Sequence, residues 1–246
     1  MTGNNTQKWY NSWFGTPYYD LLYGHRDEQE ASAFVATLIT YLHPNTTATI
    51  LDAACGKGRH AILLADKGFT VTGIDLSAKN IREAQAFENE HLSFFKHDMR
   101  QIFRIGYFDL ICNFYTSFGY FDDPKDDVAC LKAFAAGLKP GGKLVIDFLN
   151  IYHILQHLIE DESRTIDGIR FTISKSYSNG FLHKKITISD NGNFSEYHEK
   201  VRALELKQFE RYLMEAGLHL ENIFGDYRLS PFEKSTSDRL ILIARK

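Results

Sequence analysis

Apolar residues recur along the chain with two alternating periods, and the switches between them lay out a fold. Ala31, Phe34, Val35, Leu38, Ile39 and Leu42 follow three- and four-residue spacing, which predicts an amphipathic helix. Asp27 and Glu28 suit its start, and Pro44 lies just past its end. Thr49–Ala53 then reads as a short buried strand, residues 59–67 as a helix stopped by Gly68, and residues 69–74 as a second strand. Ser77 caps a helix carrying Ile81, Ala84 and Phe87. Leu92–Lys96 and residues 108–114 are further strands. A helix with Val128, Leu131, Phe134, Ala135 and Leu138 on one face ends in "LKPGG" and leads into the strand "KLVIDF". Strands alternating with helices in this way predict right-handed crossovers and a parallel sheet covered on both faces.

The rhythm changes after Asn150. Ile169, Phe171 and Ile173 alternate, as do Ile186 and Ile188, with "SNG" and "DNGN" as turns, so residues 165–202 read as an antiparallel meander inserted into the α/β fold. Leu206, Phe209, Leu213 and Ala216 restore a helix closed by Gly217, and two strands follow at about 219–227 and 239–244. Near the other end, Trp9, Tyr10, Trp13, Phe14, Tyr18, Tyr19 and Tyr23 pin an N-terminal arm onto the body. The expected organisation is one α/β domain over 1–246, with an N-terminal helical lid at 1–45 and a β-subdomain inserted at 165–202.

Composition narrows the function classes. The 246 residues are 44% hydrophobic, enough to bury a full core. With 28 basic and 31 acidic residues the formal net charge is −3, which argues against a protein that tracks nucleic-acid phosphates. The start, "MTGNNTQKWY", lacks a signal-peptide core, and no stretch is long enough to cross a bilayer. Cys55, Cys112 and Cys130 are too few and too scattered for a disulfide framework or a zinc site and suit a reducing cytosol, so a soluble, cytoplasmic protein is expected.

The candidate chemistry lies in "ILDAACGKGRHAILLADKGFTVTGID", residues 50–75. Gly56, Gly58 and Ala61 fit the G-x-G-x-x-(G/A) fingerprint of dinucleotide binders, which keeps an NAD-dependent oxidoreductase open. Asp75, at the end of the second strand, is placed to accept from both hydroxyls of a ribose. Asp52, before the small pair Ala53–Ala54, is a poor neighbour for a pyrophosphate and a tolerable one for a cationic amino-acid group. In "HDMR", Asp98 lies where an adenine amino group donates, with Met99 against the ring and His97 beside it.

Taken in order, "LDAACGKGRHA", "GIDLS", "HDMR", "FDLICNFYTSFGYF" and "LKPGGKLVIDF" resemble the class I S-adenosylmethionine-dependent methyltransferases over most of residues 20–150. The resemblance implies a Rossmann-like α/β fold, with a seven-stranded sheet in the order 3-2-1-4-5-7-6 and strand 7 antiparallel. It implies contacts to S-adenosylmethionine at Asp52, Ala53, Gly56, Gly58, Asp75, Leu76, Asp98, Met99 and Asn113. "YYDLLYGHRDEQEA" is similar to the N-terminal helix of small-molecule members, which puts Tyr19 and Arg26 at the cofactor carboxylate. The inserted meander resembles the subdomain that many members place over the substrate mouth.

Methyl transfer needs no nucleophilic serine or metal, because the sulfonium is already a good electrophile and the protein has only to align an acceptor and exclude water. Acceptor contacts are expected after strands 4 and 5, at Tyr115, Ser117 and Phe118, with Thr116 and Tyr120 beside them, and at Asn150 and His153, with Tyr152 between. "NFYTSFGYF" lacks the Asn/Asp-Pro-Pro-aromatic motif of nucleic-acid amino methylases, so a small-molecule acceptor is expected. No residue is singled out as a catalytic acid or base. His153 and His157 without a carboxylate pattern do not predict a metal. Asp147 reads as structural, and Lys184 and Lys185 as a solvated face. A non-catalytic module that binds the cofactor or its demethylated product is the alternative from another class. The sequence leaves open whether the protein is a monomer or a homodimer.

Overall fold

A computed structural model describes residues 13–24 and 28–246. Its first helices are α1 (Pro17–Tyr23) and α2 (Glu28–Leu42). The alternating half follows as β1 (Thr49–Ala53), α3 (Arg59–Ala65), β2 (Thr70–Asp75), α4 (Ala78–Ala84), β3 (Leu92–Lys96), β4 (Phe108–Asn113), α5 (Pro124–Gly137) and β5 (Leu138–Leu149). After α6 (Ile151–Gln156) come β6 (Asp161–Ile166), β7 (Ile169–Ser178), β8 (Phe181–Asp190) and β9 (Asn193–Arg202). The chain then returns through α7 (Leu206–Glu215), β10 (His219–Phe224) and β11 (Arg239–Arg245).

The main sheet has the order β3-β2-β1-β4-β5-β11-β10. β1 through β5 pair in parallel, and β11 runs antiparallel to both β5 and β10. With β10 and β11 counted as strands 6 and 7, this is the expected Rossmann-like order. The central strands are apolar on both faces because helices cover both. Phe34, Val35, Leu38, Ala61, Leu64 and Ile81 of α2, α3 and α4 pack one side, and Val128, Leu131, Phe134, Phe209 and Leu213 of α5 and α7 pack the other. Local chemistry sets the helix starts. The Ser77 hydroxyl accepts from the Asn80 N–H at 3.2 Å, the Asp123 carboxylate accepts from the Lys125 N–H at 2.9 Å ahead of Pro124, and Glu205 with Gln208 forms a capping box on α7.

Two boundaries differ from the sequence expectation. "LKPGG" does not end a helix: α5 stops at Gly137, and β5 begins at once with Leu138. A register shift between the pairs Phe108–Leu138 and Leu110–Lys143 leaves Pro140 and Gly141 without a partner residue on β4. The second sheet, β6-β7-β8-β9, starts at Asp161, four residues before the alternation signalled it. Its three turns are the pairs Asp167–Gly168, Asn179–Gly180 and Asn191–Gly192, all with positive φ at both positions, as tight hairpins of matching twist require.

This second sheet shares a core with the N-terminal arm. Trp13 and Leu22 are buried against Phe171, Ile173, Ile186 and Ile188, and Tyr18 donates to Asp190 at 2.9 Å. Lys57 Nζ to Asp20 at 2.8 Å and Lys79 to the Gly15 carbonyl fasten the same arm to the glycine loop side. Trp9, Tyr10 and Asp27 lie outside the described residues. No helix among the described residues is long and apolar enough to cross a membrane.

Candidate functional site

A cavity of about 990 Å³ opens where the carboxyl ends of β1, β2, β4 and β5 meet the arm and the second sheet. That is the crevice in which open α/β sheets bind ligands. Its wall includes Tyr19, Asp52, Gly56, Asp75, Leu76, His97, Asp98, Met99, Tyr115, Thr116, Ser117, Tyr120 and His153.

The turn after β1 shapes the first wall. Ala54, Gly56 and Gly58 take φ of 60°, 57° and 86°, so main chain rather than side chain faces the ligand space. Asp75, ending β2, locks this turn: its Oδ2 accepts from the Gly56 N–H at 2.9 Å and its Oδ1 from the Ser77 N–H at 2.7 Å. Burial raises the Asp75 pKa, and the two N–H donors partly offset that rise.

Asp52 is 1% exposed, and its Oδ2 has no hydrogen-bond partner among the described residues. Desolvation pushes its pKa up to about 7. A buried carboxylate left with an unmatched oxygen suits a cationic ligand group, which returns the lost interaction. The folded-state value lies above the unfolded one of about 3.9, so between these pH values the folded protein holds more protons and its stability falls as pH rises. Asp52→Asn is therefore expected to gain on the wild type from about pH 4 to pH 7 and to keep that gain above it. Urea unfolding of the ligand-free proteins across that range measures the difference; a constant difference refutes the assignment.

Asp98 is held by Arg100, whose Nε lies 3.0 Å from Oδ1 and whose Nη2 lies 2.6 Å from Oδ2, while Arg100 Nη1 reaches Asp126 at 2.9 Å. Its carboxylate is thus fixed in orientation at the cavity wall. Beneath the glycine turn His60 is 6% exposed with Nε2 unpartnered; desolvation lowers its pKa to about 3, so it is neutral, packed on the rings of Phe114 and Tyr115.

Several expected residues do not reach the wall. Ala53 is fully buried within β1. Gly58 turns the chain, but its Cα faces Phe94 rather than the cavity. Asn113 is fully buried and donates to the Ala53 carbonyl at 2.9 Å, joining the ends of β1 and β4 below the floor. Phe118 is fully buried against Phe209 because the chain doubles back after Ser117 into the core. Asn150 is equally buried; its amide donates to the carbonyls of Lys234 and Ser237 and its carbonyl caps α6. Tyr152 points away and donates to Glu205 at 2.9 Å. Arg26 lies outside the described residues.

Other residues line the cavity unannounced. Lys184 is not on a solvated face: it donates to the Tyr23 hydroxyl and lies 3.8 Å from Glu199. Glu199 Oε1 accepts from Trp13 Nε1 at 2.6 Å and from the Tyr23 hydroxyl at 2.7 Å, so arm and sheet meet over the cavity through one carboxylate. Only Lys185, paired with Glu196 at 2.7 Å, faces outward. A period-two signal existed. Lys184 continues the face of Ile186 and Ile188, Lys175 that of Phe171 and Ile173, and Glu199 that of Tyr197. Cys55, Cys112 and Cys130 are free, and burial raises their pKa values, so none is a thiolate nucleophile. Among the described residues no cluster of His, Cys, Asp and Glu has the make-up of a metal site.

Residues 50–142 match the model of a family described as a methyltransferase domain. YqeM of Bacillus subtilis, named as a methyltransferase, is 30% identical over 208 residues, covering 80% of this chain and 83% of that one. The dTDP-3-amino-3,6-dideoxy-α-D-glucopyranose N,N-dimethyltransferase of Streptomyces fradiae is 26% identical, with 84% of each chain covered. Among solved structures, an S-adenosylmethionine-dependent methyltransferase from Clostridium acetobutylicum superposes with a TM-score of 0.79 at 24% identity, over 96% of this chain and 98% of that one, and so shares its fold.

Proposed function

Since this chain belongs to the class I S-adenosylmethionine-dependent methyltransferases, we propose that it methylates the nitrogen of a small-molecule amine in the cavity at the head of its sheet. The observation that carries the reading is the acidic lining of the glycine turn. Asp75 holds the turn by the Gly56 N–H, and Asp52 keeps an unmatched buried oxygen. That lining repels a pyrophosphate and suits a ligand with a sugar diol at one end and an ammonium at the other. The Streptomyces fradiae relative, which is named for methylating a sugar amine, supports an amine acceptor.

When bound, S-adenosylmethionine supplies a sulfonium methyl that is electrophilic without activation. The chain's residues bind, orient and exclude water. In this reading Asp75 accepts from the ribose hydroxyls, Asp52 faces the ammonium, Asp98 and Met99 bracket the adenine with Leu76 beside it, and Tyr19 with Arg26 takes the carboxylate. Tyr115, Ser117 and His153 border the acceptor. The arm and the inserted sheet act as two lids on one domain, and their Trp13–Glu199–Lys184–Tyr23 contacts keep bulk water from the reacting atoms.

Calorimetric titration with S-adenosylhomocysteine and with NAD, followed by transfer of a labelled methyl group to a panel of amino acids and amino sugars, tests the reading. Binding of the first ligand alone and label on an amine are expected. Binding of NAD, or failure to bind S-adenosylhomocysteine, overturns it, and persistent absence of any acceptor favours a non-catalytic binding module.

A further inference from the structure

The chain leaves β4 in an uncommon way. Tyr115 and Thr116 follow each other with φ of 55° and 58°, the left-handed region, where a β-branched threonine is a true outlier. Strain of this kind persists only where the surroundings over-determine it. Here the surroundings centre on one residue, Asp147, and its partner Arg239. Asp147 is fully buried on β5, and its Oδ2 accepts from the Tyr115 N–H at 2.9 Å and from the Tyr227 hydroxyl at 3.2 Å. Its main-chain carbonyl accepts from the Thr116 N–H at 2.9 Å. Its Oδ1 accepts from Arg239 Nε at 2.7 Å, and Arg239 Nη2 donates to the Thr116 hydroxyl at 3.1 Å. The Tyr115 N–H and the Thr116 hydroxyl are thereby tied to the two side chains of one ion pair, and the Thr116 N–H to the main chain of Asp147.

An ion pair is an odd choice at this place. Asp147 and Arg239 sit on neighbouring strands whose other buried residues on the same face are apolar, Val145, Ile241 and Ile243 among them. Burying two charges costs desolvation that well-packed apolar side chains would avoid, so fold stability alone does not account for the pair. What the pair does reach is the cavity: Tyr115, Thr116, Tyr227 and Arg239 all line it. The Tyr115 ring is held in turn by its hydroxyl bond to Glu30 at 2.9 Å, by Arg59 over its face and by His60 beneath.

We propose that Asp147 and Arg239 are positioning residues that fix the Tyr115–Thr116 turn against the group being transferred, so that the shape of this turn sets the space beside the reacting methyl. The inference rests on the methyl-transfer reading of the cavity. It assigns the pair no contact with the reacting atoms; the pair acts through the turn.

The test compares two probes by calorimetry. S-adenosylhomocysteine has a bare thioether sulfur, whereas sinefungin carries a charged amine where the methyl would stand, and so reports the space beyond. Asp147→Asn and Arg239→Met are both expected to leave S-adenosylhomocysteine binding within about threefold of wild type and to weaken sinefungin by about tenfold or more. The shared direction is the diagnostic. If only the field of the lost charge mattered, removing the carboxylate would weaken sinefungin and removing the guanidinium would strengthen it. Opposite shifts, an unchanged ratio or equal losses of both probes overturn the proposal. Should a charge variant fail to melt cooperatively, Thr116→Ala keeps the pair intact, removes the hydroxyl that Arg239 grips, and is expected to move the ratio in the same direction. A wild type that binds neither probe defeats the methyl-transfer reading itself, whereas a wild type that binds both with an unmoved ratio in the variants defeats this inference alone.

Discussion

Asp75→Ala is expected to weaken S-adenosylhomocysteine binding by about 10- to 150-fold, as loss of about 1.5–3 kcal/mol from hydrogen bonds to a charged acceptor requires. The size of the effect follows from two jobs done by one carboxylate. Each oxygen already accepts one main-chain N–H, from Gly56 at 2.9 Å and Ser77 at 2.7 Å, and each keeps a lone pair for a ligand hydroxyl. Alanine loses the ligand bonds and also frees the glycine turn that the ligand must lie against. Asp75→Asn is the sharper control. Its amide puts N–H against one of the two backbone donors, so one loop tie breaks while the other survives, and the loss should fall between wild type and alanine. Calorimetry supplies the affinities, and a cooperative thermal transition shows that each variant is folded. A loss below about threefold for alanine would take Asp75 out of the ligand's reach.

Much of the fold was legible because it follows from periods and caps. The central strands of the main sheet are buried on both faces and read as short apolar runs, and the helices carry stripes that a period of 3.6 finds. Positions on straight elements were legible too: Asp52, Asp75 and Asp98 each stand within two residues of a strand's end, where chain geometry alone sends them to the sheet's carboxyl edge. What could not be read was the path after an element ends. Ser117 and Phe118 are adjacent, yet one lines the cavity and the other is fully buried, because two left-handed residues before them reverse the chain. Asn150 likewise looks like a strand-end ligand residue, but a distant loop at Lys234 and Ser237 brings two carbonyls that claim its amide. Long-range partners of this kind leave no local trace.

Lys184 departs from expectation for a different reason. Its charge points to solvent, whereas its register on β8 puts it on the face of Ile186 and Ile188. Period two carries more information than polarity here, because the apolar face of the inserted sheet is only partly covered by Trp13 and Leu22 of the arm and continues over the cavity. A half-buried cation on such a face needs a partner, and Glu199 on the adjacent strand is in register with it.

The glycines of the fingerprint divide between fold and ligand, and a pair of substitutions separates them. Gly58→Ala is expected to destabilise the protein by about 2–5 kcal/mol, the sum of an overpacked core and a left-handed backbone. A methyl group there would lie 2.5 Å from Phe94 Cζ and 2.6 Å from Cε1, and Gly58 has φ of 86°. Phe94 cannot move aside. It is 1% exposed, and a methyl on Gly73 would also meet the ring, at 2.4 Å, so the ring fills a slot that two glycines leave open. Gly56→Ala, with φ of 57° and nothing within 4 Å of the added methyl, should cost only the backbone term, about 1–2 kcal/mol, while impairing ligand binding at the main-chain face it presents. Urea unfolding of the two variants ranks them. Adding Phe94→Leu, which shortens the ring to a branched chain, should destabilise the wild type yet cost clearly less in the Gly58→Ala background, a coupling of about 1 kcal/mol or more in a double-mutant cycle. Strictly additive effects would mean that the ring does not set the requirement for glycine at this position.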